Sequence, residues 1–163
     1  MKYALQLRSD LQASLGCCFD AKITADYGDI LYHFLLNCQT QGNGDLGFTV
    51  VEPEAISGIR GTISQEGGKI LFEDKALFFE EVAQTGITPV AAPWLMLKAL
   101  KSGYIKGAGL TDSGTLVQID DSYSGSALNV NLNLDHNHLP YFAEMFYNNR
   151  RIMSIEIENF AIL

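Results

Sequence analysis

Two carboxylate pairs, Glu80–Glu81 and Asp120–Asp121, and two closely spaced imidazoles, His136 and His138, are the residues best suited to chemistry in this chain. Paired carboxylates do general acid–base work when their side chains converge on one reacting group. Adjacent residues on a strand point to opposite faces, so neither pair forms such a couple by itself. A solvated face is the expected role of both. His136 and His138 flank Asn137 and could offer alternate ligands to a metal ion. They fall in a hairpin turn with no third ligand near them in sequence, and no metal is expected there. Asp26 and Asp29 could bind calcium together with backbone carbonyls, but turn aspartates ordinarily satisfy local amides. His33 falls on the polar side of a hairpin and is expected in solvent.

Nucleophile and phosphate motifs are equally incomplete. Ser124-Gly125-Ser126 does not match the G-x-S-x-G elbow. Gly107-Ala108-Gly109 is a lone G-x-G inside a strand pattern, without the following helix that a dinucleotide site needs. Gly58-Ile59-Arg60-Gly61 lacks the Lys-Ser/Thr of a phosphate loop. The residues assign no catalytic group and no cofactor, and a non-enzymatic protein is expected.

The three cysteines, Cys17, Cys18 and Cys38, lead to the elements that position them. Gly16 to Gln39 reads as two alternating strands around the turn Asp26-Tyr27-Gly28-Asp29. Pairing Ala25 with Ile30 places Ile23 opposite Tyr32, Ala21 opposite Phe34, Phe19 opposite Leu36 and Cys17 opposite Cys38. All ten lie on one face, which is almost wholly apolar. The other face carries Cys18, Asp20, Lys22 and Thr24 with Leu31, His33, Leu35 and Asn37. A one-residue slip would pair apolar with polar positions, so burial should enforce this register. A Cys17–Cys38 disulfide would close a loop of about 20 residues and contribute roughly 3 kcal/mol. The alternative is two buried thiols acting as small apolar residues, with Cys18 pointing to the opposite face.

The rest of the chain continues this pattern. Tyr3, Leu7, Leu11 and Leu15 recur at helical spacing, predicting a helix from Tyr3 to Leu15 capped by Gly16. Leu46, Phe48 and Val50 alternate along a strand that Pro53 stops. Ile59 to Gln65 and Lys69 to Phe72 form a hairpin around Glu66-Gly67-Gly68, and Ala76 to Phe79 is a further short strand. After the loop Gly86 to Pro89 the period changes. Pro93 opens a helix through Trp94, Leu97 and Leu100 that Gly103 caps. This helix is apolar nearly all round, so it should be covered on most sides. Strands return at Tyr104 to Leu110, Thr115 to Asp121, Leu128 to Leu134, Pro140 to Tyr147 and Arg150 to Phe160. The register of the last hairpin stays open, because both its faces carry apolar residues. The expectation is a single domain, 1–163, mainly β: a curled antiparallel half-barrel of nine to eleven strands around an apolar helix, with an N-terminal helix.

At 163 residues, 47% hydrophobic and 18% charged, the composition is that of a globular domain. Eleven basic against 19 acidic residues give a net charge of -8, which disfavours nucleic acid and anionic membrane surfaces as partners. The longest apolar run, Val90 to Leu97, falls far short of the roughly 20 residues of a membrane span. Residues Met1 to Leu15 lack the apolar core of a signal peptide. Two expectations remain for compartment: a cytoplasmic protein, or an exported domain whose leader has been trimmed. Nine Phe and seven Tyr, with a nearly all-apolar helix against one curled sheet, suggest an apolar pocket at the open end. Phe34, Leu36, Phe48, Phe72, Trp94 and Leu97 are its candidate lining, with simple core packing as the alternative.

The order of elements resembles the bacterial lipoprotein-carrier superfamily of LolA, LppX and RseB type, over nearly the whole chain. The resemblance is carried by the first hairpin, the strand Phe48-Thr49-Val50-Val51-Glu52-Pro53 and the hairpin Glu66-Gly67-Gly68-Lys69-Ile70-Leu71-Phe72. It continues through the Pro-led helix Pro93-Trp94-Leu95-Met96-Leu97 and the turn from Leu134-Asp135 to Leu139-Pro140, followed by Ala143-Glu144 and Ile155 to Phe160. It implies a half-barrel of about eleven strands around internal helices. It also implies an exported domain, often tethered by a lipid on a Cys ahead of the fold, although no lipobox is present here. The expected function is extracytoplasmic binding or carrying of an apolar ligand, a lipid or acyl chain. The alternative is an envelope sensor or protein-interaction module, partnered by another envelope protein, on the same scaffold. Membrane association would come only through the inferred lipid anchor.

Overall fold

The structure is a computed structural model that describes residues 1–26, 28–42, 44–63, 89–122 and 127–163. The described elements are α1 (Lys2–Ala13), β1 (Cys17–Asp26), β2 (Leu31–Thr40), β3 (Leu46–Glu52), β4 (Arg60–Ile63), α2 (Ala92–Ser102), β5 (Tyr104–Thr111), β6 (Gly114–Asp120), β7 (Leu128–Leu134), β8 (Pro140–Tyr147) and β9 (Arg150–Ile162). Short 3-10 turns precede β4 and α2, at Glu54–Ile56 and Pro89–Ala91. The hairpin around Glu66-Gly67-Gly68 and the strand Ala76 to Phe79 lie outside the described residues.

All nine described strands form one antiparallel sheet in the order β4-β3-β2-β1-β9-β8-β7-β6-β5. The sheet curls without closing, a half-barrel as expected from the sequence. Every ladder joins strands consecutive in the chain except one: β1 pairs with β9 at the sheet's centre. Alternation assigns the concave face. Cys17, Phe19, Ala21, Ile23 and Ala25 of β1 are buried, as are Leu128, Val130, Leu132 and Leu134 of β7, while the residues between them meet solvent.

Helix α2 packs against this sheet and α1, burying Met96, Leu97, Ala99 and Leu100. Pro93 lies in its first turn, where a missing amide hydrogen costs nothing. Its C-terminal carbonyls need partners, and side chains of α1 supply them. Arg8 donates from Nε to Leu100 O at 2.6 Å and from a terminal guanidinium nitrogen to Gly103 O at 2.8 Å. Gln12 donates to Lys101 O at 3.0 Å. A cation at this end also opposes the helix dipole favourably. No helix among the described residues is long and apolar enough to cross a membrane.

Several expectations are corrected. The β1–β2 register is offset by two residues: Phe19 pairs with Cys38, Ala21 with Leu36, Ile23 with Phe34 and Ala25 with Tyr32. A two-residue offset keeps every side chain on its face, so burial cannot tell the two registers apart. The turn decides instead. The Asp26 carboxylate accepts the Gly28 amide hydrogen at 2.8 Å and lies 3.4 Å from Arg150, so the loop starts after Asp26. Helix α1 ends at Ala13 rather than Leu15, and its cap is Ser14 rather than Gly16. The Ser14 hydroxyl donates to Leu11 O and accepts the Gly16 amide hydrogen. The buried stripe is therefore Ala4, Leu7 and Leu11, while Tyr3 and Leu15 are exposed.

The closing hairpin is fixed by Tyr147 opposite Arg150, with Asn148 and Asn149 both at positive φ (49° and 63°). Two left-handed central residues make the type I′ turn that matches strand twist. Gly114 occupies a comparable corner between β5 and β6. Its φ is +144°, and a Cβ there would lie 1.9 Å from Leu134 O.

Candidate functional site

The described opening nearest the candidate lining is a cleft of about 170 Å³ between α2 and the β2–β3 connection. One stripe of α2 forms its wall: Trp94, Leu97, Lys98 and Lys101 recur at i, i+3, i+4 and i+7 and so share a helix face. Thr40 and Asp45 stand opposite. Leu97 is 3% exposed and continues into the core, whereas Trp94 is half-buried. The Lys98 ammonium lies 5.8 Å from the centre of the Trp94 ring and 3.2 Å from Asp121 Oδ2. That carboxylate oxygen is buried and takes no directed hydrogen bond, so the contact with Lys98 is an ion pair only.

The six residues expected to line a pocket are thus dispersed. Trp94 and Leu97 line this cleft. Leu36 is fully buried in the core and Phe34 is half-buried against it. Phe48 is buried, and part of it reaches a broad depression of about 670 Å³ on the other face of β2–β4, beside Arg60, Asn37 and Gln39. Phe72 lies outside the described residues.

Cys17 and Cys38 share the concave face but are free thiols, and Cys18, half-buried, is free as well. The offset register removes the direct Cys17–Cys38 opposition on which the expected bridge rested. Thr40 stands beside Cys17 instead: its Oγ1 accepts the Cys17 amide hydrogen at 2.7 Å. Burial pushes the Cys17 thiol up, against the Thr40 hydrogen bond and the Lys101 charge. Burial pushes Cys38 up further, helped by the Asp20 charge and by Cys17. Protonated, enclosed thiols of this kind are poor nucleophiles.

The other groups considered from sequence have structural employment. Asp120 accepts from the Ser122 hydroxyl and amide, which hold its carboxyl below the usual range. Asp121 pairs with Lys98. Asp135 accepts the Asn137 and Leu139 amide hydrogens and shapes its turn. His138 stacks on Tyr3, ring centres 3.6 Å apart, and ties the β7–β8 turn to α1. His136 is exposed, and among the described residues no group of three His, Cys, Asp or Glu is placed to hold a metal ion. Glu80, Glu81 and Ser124-Gly125-Ser126 lie outside the described residues.

The half-barrel has counterparts among solved structures. An uncharacterized conserved protein from Thermus thermophilus aligns over 98% of this chain and 87% of its own, with a TM-score of 0.50 and 10% identity. The two share a fold. A LolA superfamily protein from Nitrosomonas europaea aligns over 98% of this chain and 93% of its own, at TM-score 0.48 and 9% identity. An outer membrane lipoprotein-sorting protein domain from Vibrio parahaemolyticus covers 99% and 91%, at TM-score 0.44 and 6% identity. No family model matches the chain, and no curated protein matches it.

The role of Arg8 was not legible from the sequence. An arginine on an amphipathic helix reads as solvated, and its carbonyl partners lie 92 and 95 residues away. The Lys98–Asp121 pair was equally hidden: the sequence places Asp121 on a solvated strand face, whereas the residue is buried against Lys98.

Proposed function

We propose that this chain is an extracytoplasmic, non-enzymatic half-barrel that holds an apolar ligand, a lipid or acyl chain. One observation carries the reading: the nearly all-apolar helix α2 lies against the curled sheet, and its Trp94–Leu97 face opens from the core to solvent. Burial of acyl methylenes at about 0.8 kcal/mol each supplies affinity without a charged clamp. Asp120 and Asp121, one of the two carboxylate pairs that could have done chemistry, are bound to Ser122 and Lys98, which favours binding over catalysis. The sequence resemblance to lipoprotein carriers points the same way and supports a location outside the cytoplasm.

Trp94 is the sole tryptophan, so its emission reports the cleft directly. Titration with palmitate or with phosphatidylcholine vesicles should shift that emission to the blue, saturably. Unchanged emission together with no heat of binding would sink the reading.

A second reading, a protein-interaction module, is favoured by the sheet's β5 edge. Tyr104 and Leu110 there are 60% and 87% exposed, and the strand pairs only with β6 among the described residues. An open edge is a template for an added strand. Lipid-free protein that captures an envelope protein through β5, and loses it on Leu110→Lys, would favour this reading.

A further inference from the structure

We infer that the Trp94–Lys101 cleft seats the anionic head group of an amphiphile, with the Lys101 ammonium as its counter-ion. The inference rests on the apolar-ligand reading and adds the charge of the ligand to it.

Size is the first argument. At about 170 Å³ the cleft well exceeds the roughly 10–15 Å³ that a single water needs by the same measure. That space admits a carboxylate or phosphate with the first methylenes of a chain behind it. Leu97 and the half-buried Trp94 ring offer apolar contact for those methylenes.

Charge is the second argument. The chain carries only 11 cationic side chains against 19 acidic ones. Most of the described cations are engaged: Lys22 with Glu158, Arg150 with Asp26, Arg151 with Glu144, Lys98 with Asp121, and Arg8 with the α2 carbonyls. Lys101 has no carboxylate within ion-pair distance among the described residues, yet it lines a recess. Lys101 is itself half-buried. The hydroxyls at the cleft are already donating, Ser102 to Lys98 O and Thr40 to Cys17 O. The cation of the lining that is left for an incoming anion is therefore Lys101, Lys98 being paired with Asp121.

The test compares palmitate with its uncharged glycerol ester, monopalmitin, and with lysophosphatidic acid, by Trp94 emission on wild type, Lys101→Met and Lys101→Arg. Wild type should prefer the anionic amphiphiles by about tenfold, the scale of one charge-assisted hydrogen bond. Lys101→Met should abolish the preference, bringing palmitate and lysophosphatidic acid to the affinity of monopalmitin for the same variant, and Lys101→Arg should retain it. Palmitate against lysophosphatidic acid tells whether carboxylate or phosphate is favoured. Equal affinity for palmitate and monopalmitin in wild type would overturn the head-group inference and leave the apolar-ligand reading standing. Binding by no amphiphile would overturn both. Inorganic phosphate or acetate binding as tightly as the amphiphiles would also overturn it, since the chain would then contribute nothing.

Discussion

Thr40 Oγ1 lies 2.7 Å from the Cys17 amide nitrogen and 3.3 Å from the Cys17 carbonyl oxygen, so one buried hydroxyl serves both backbone groups of its neighbour. Gly16 makes the approach possible. Its φ is +144°, and a Cβ there would fall 2.4 Å from the same hydroxyl. Replacing Thr40 with Val leaves the Cys17 amide unpaired beneath the surface, and urea denaturation should show a loss of about 1–3 kcal/mol. Thr40→Ser keeps the hydroxyl and should lose well under half of that.

Arg8 should matter more than its position suggests. Arg8→Ala leaves the Leu100 and Gly103 carbonyls without their donor and should cost about 1–3 kcal/mol. Arg8→Lys, a single point charge, cannot span both oxygens and should recover only part. Amide hydrogen exchange over residues 97–103 distinguishes this from a general loss, because protection should fall there first.

The buried thiols set an alkaline limit. Cys17 and Cys38 both have folded pKa values raised by burial above the ordinary value of about 8.5. Above that value the unfolded chain loses thiol protons that the folded one keeps, so stability is full below it and declines as pH rises. The decline is at most about 1.4 kcal/mol per pH unit for each thiol. Denaturation at pH 7, 9 and 10 should show the slope, and Cys38→Ala should flatten it. A thiol reagent at pH 8 should label Cys18 well before the other two.

These three cases also show what the sequence makes legible. Alternation along β1 and β7 identifies the concave face directly, because burial has the same period as the pleat. It cannot number the rungs: the β1–β2 register, shifted by two, buries the same β1 side chains. Only the Asp26 turn, with its contact to Arg150 across the molecule, separates the two arrangements. The cleft was half legible. Trp94 and Leu97 were visible as an apolar stripe, whereas Lys98 and Lys101 gain meaning only from what each does or does not pair with.

Asp121 is 6% exposed at its side chain and depends on Lys98, itself 29% exposed. Lys98→Met should cost about 1–3 kcal/mol by stranding the carboxylate, less than for a wholly buried pair because solvent reaches the site. Asp121→Asn in the same chain should restore most of the loss. A double-mutant cycle in urea measures the coupling.

Gly114 and Gly107 give opposite expectations on adjoining stretches of chain. Gly114→Ala forces a Cβ onto Leu134 O and should cost more than about 2 kcal/mol or unpair the β5–β6 corner. Gly107→Val meets open space and should be neutral or mildly stabilising, since valine favours extended backbone. Thermal melts of the two variants compare them directly.

The pairing of β1 with β9 carries a consequence for biogenesis. Lys22 and Glu158, joined across that ladder, are 136 residues apart. A chain emerging from the ribosome holds β1 and β2 long before β9 exists, so the centre of the sheet stays vacant until synthesis is nearly finished. Loop closure over such a span is slow. The half-barrel therefore cannot complete its central ladder until β9 has been made, and the β1–β4 and β5–β9 wings of the sheet join last.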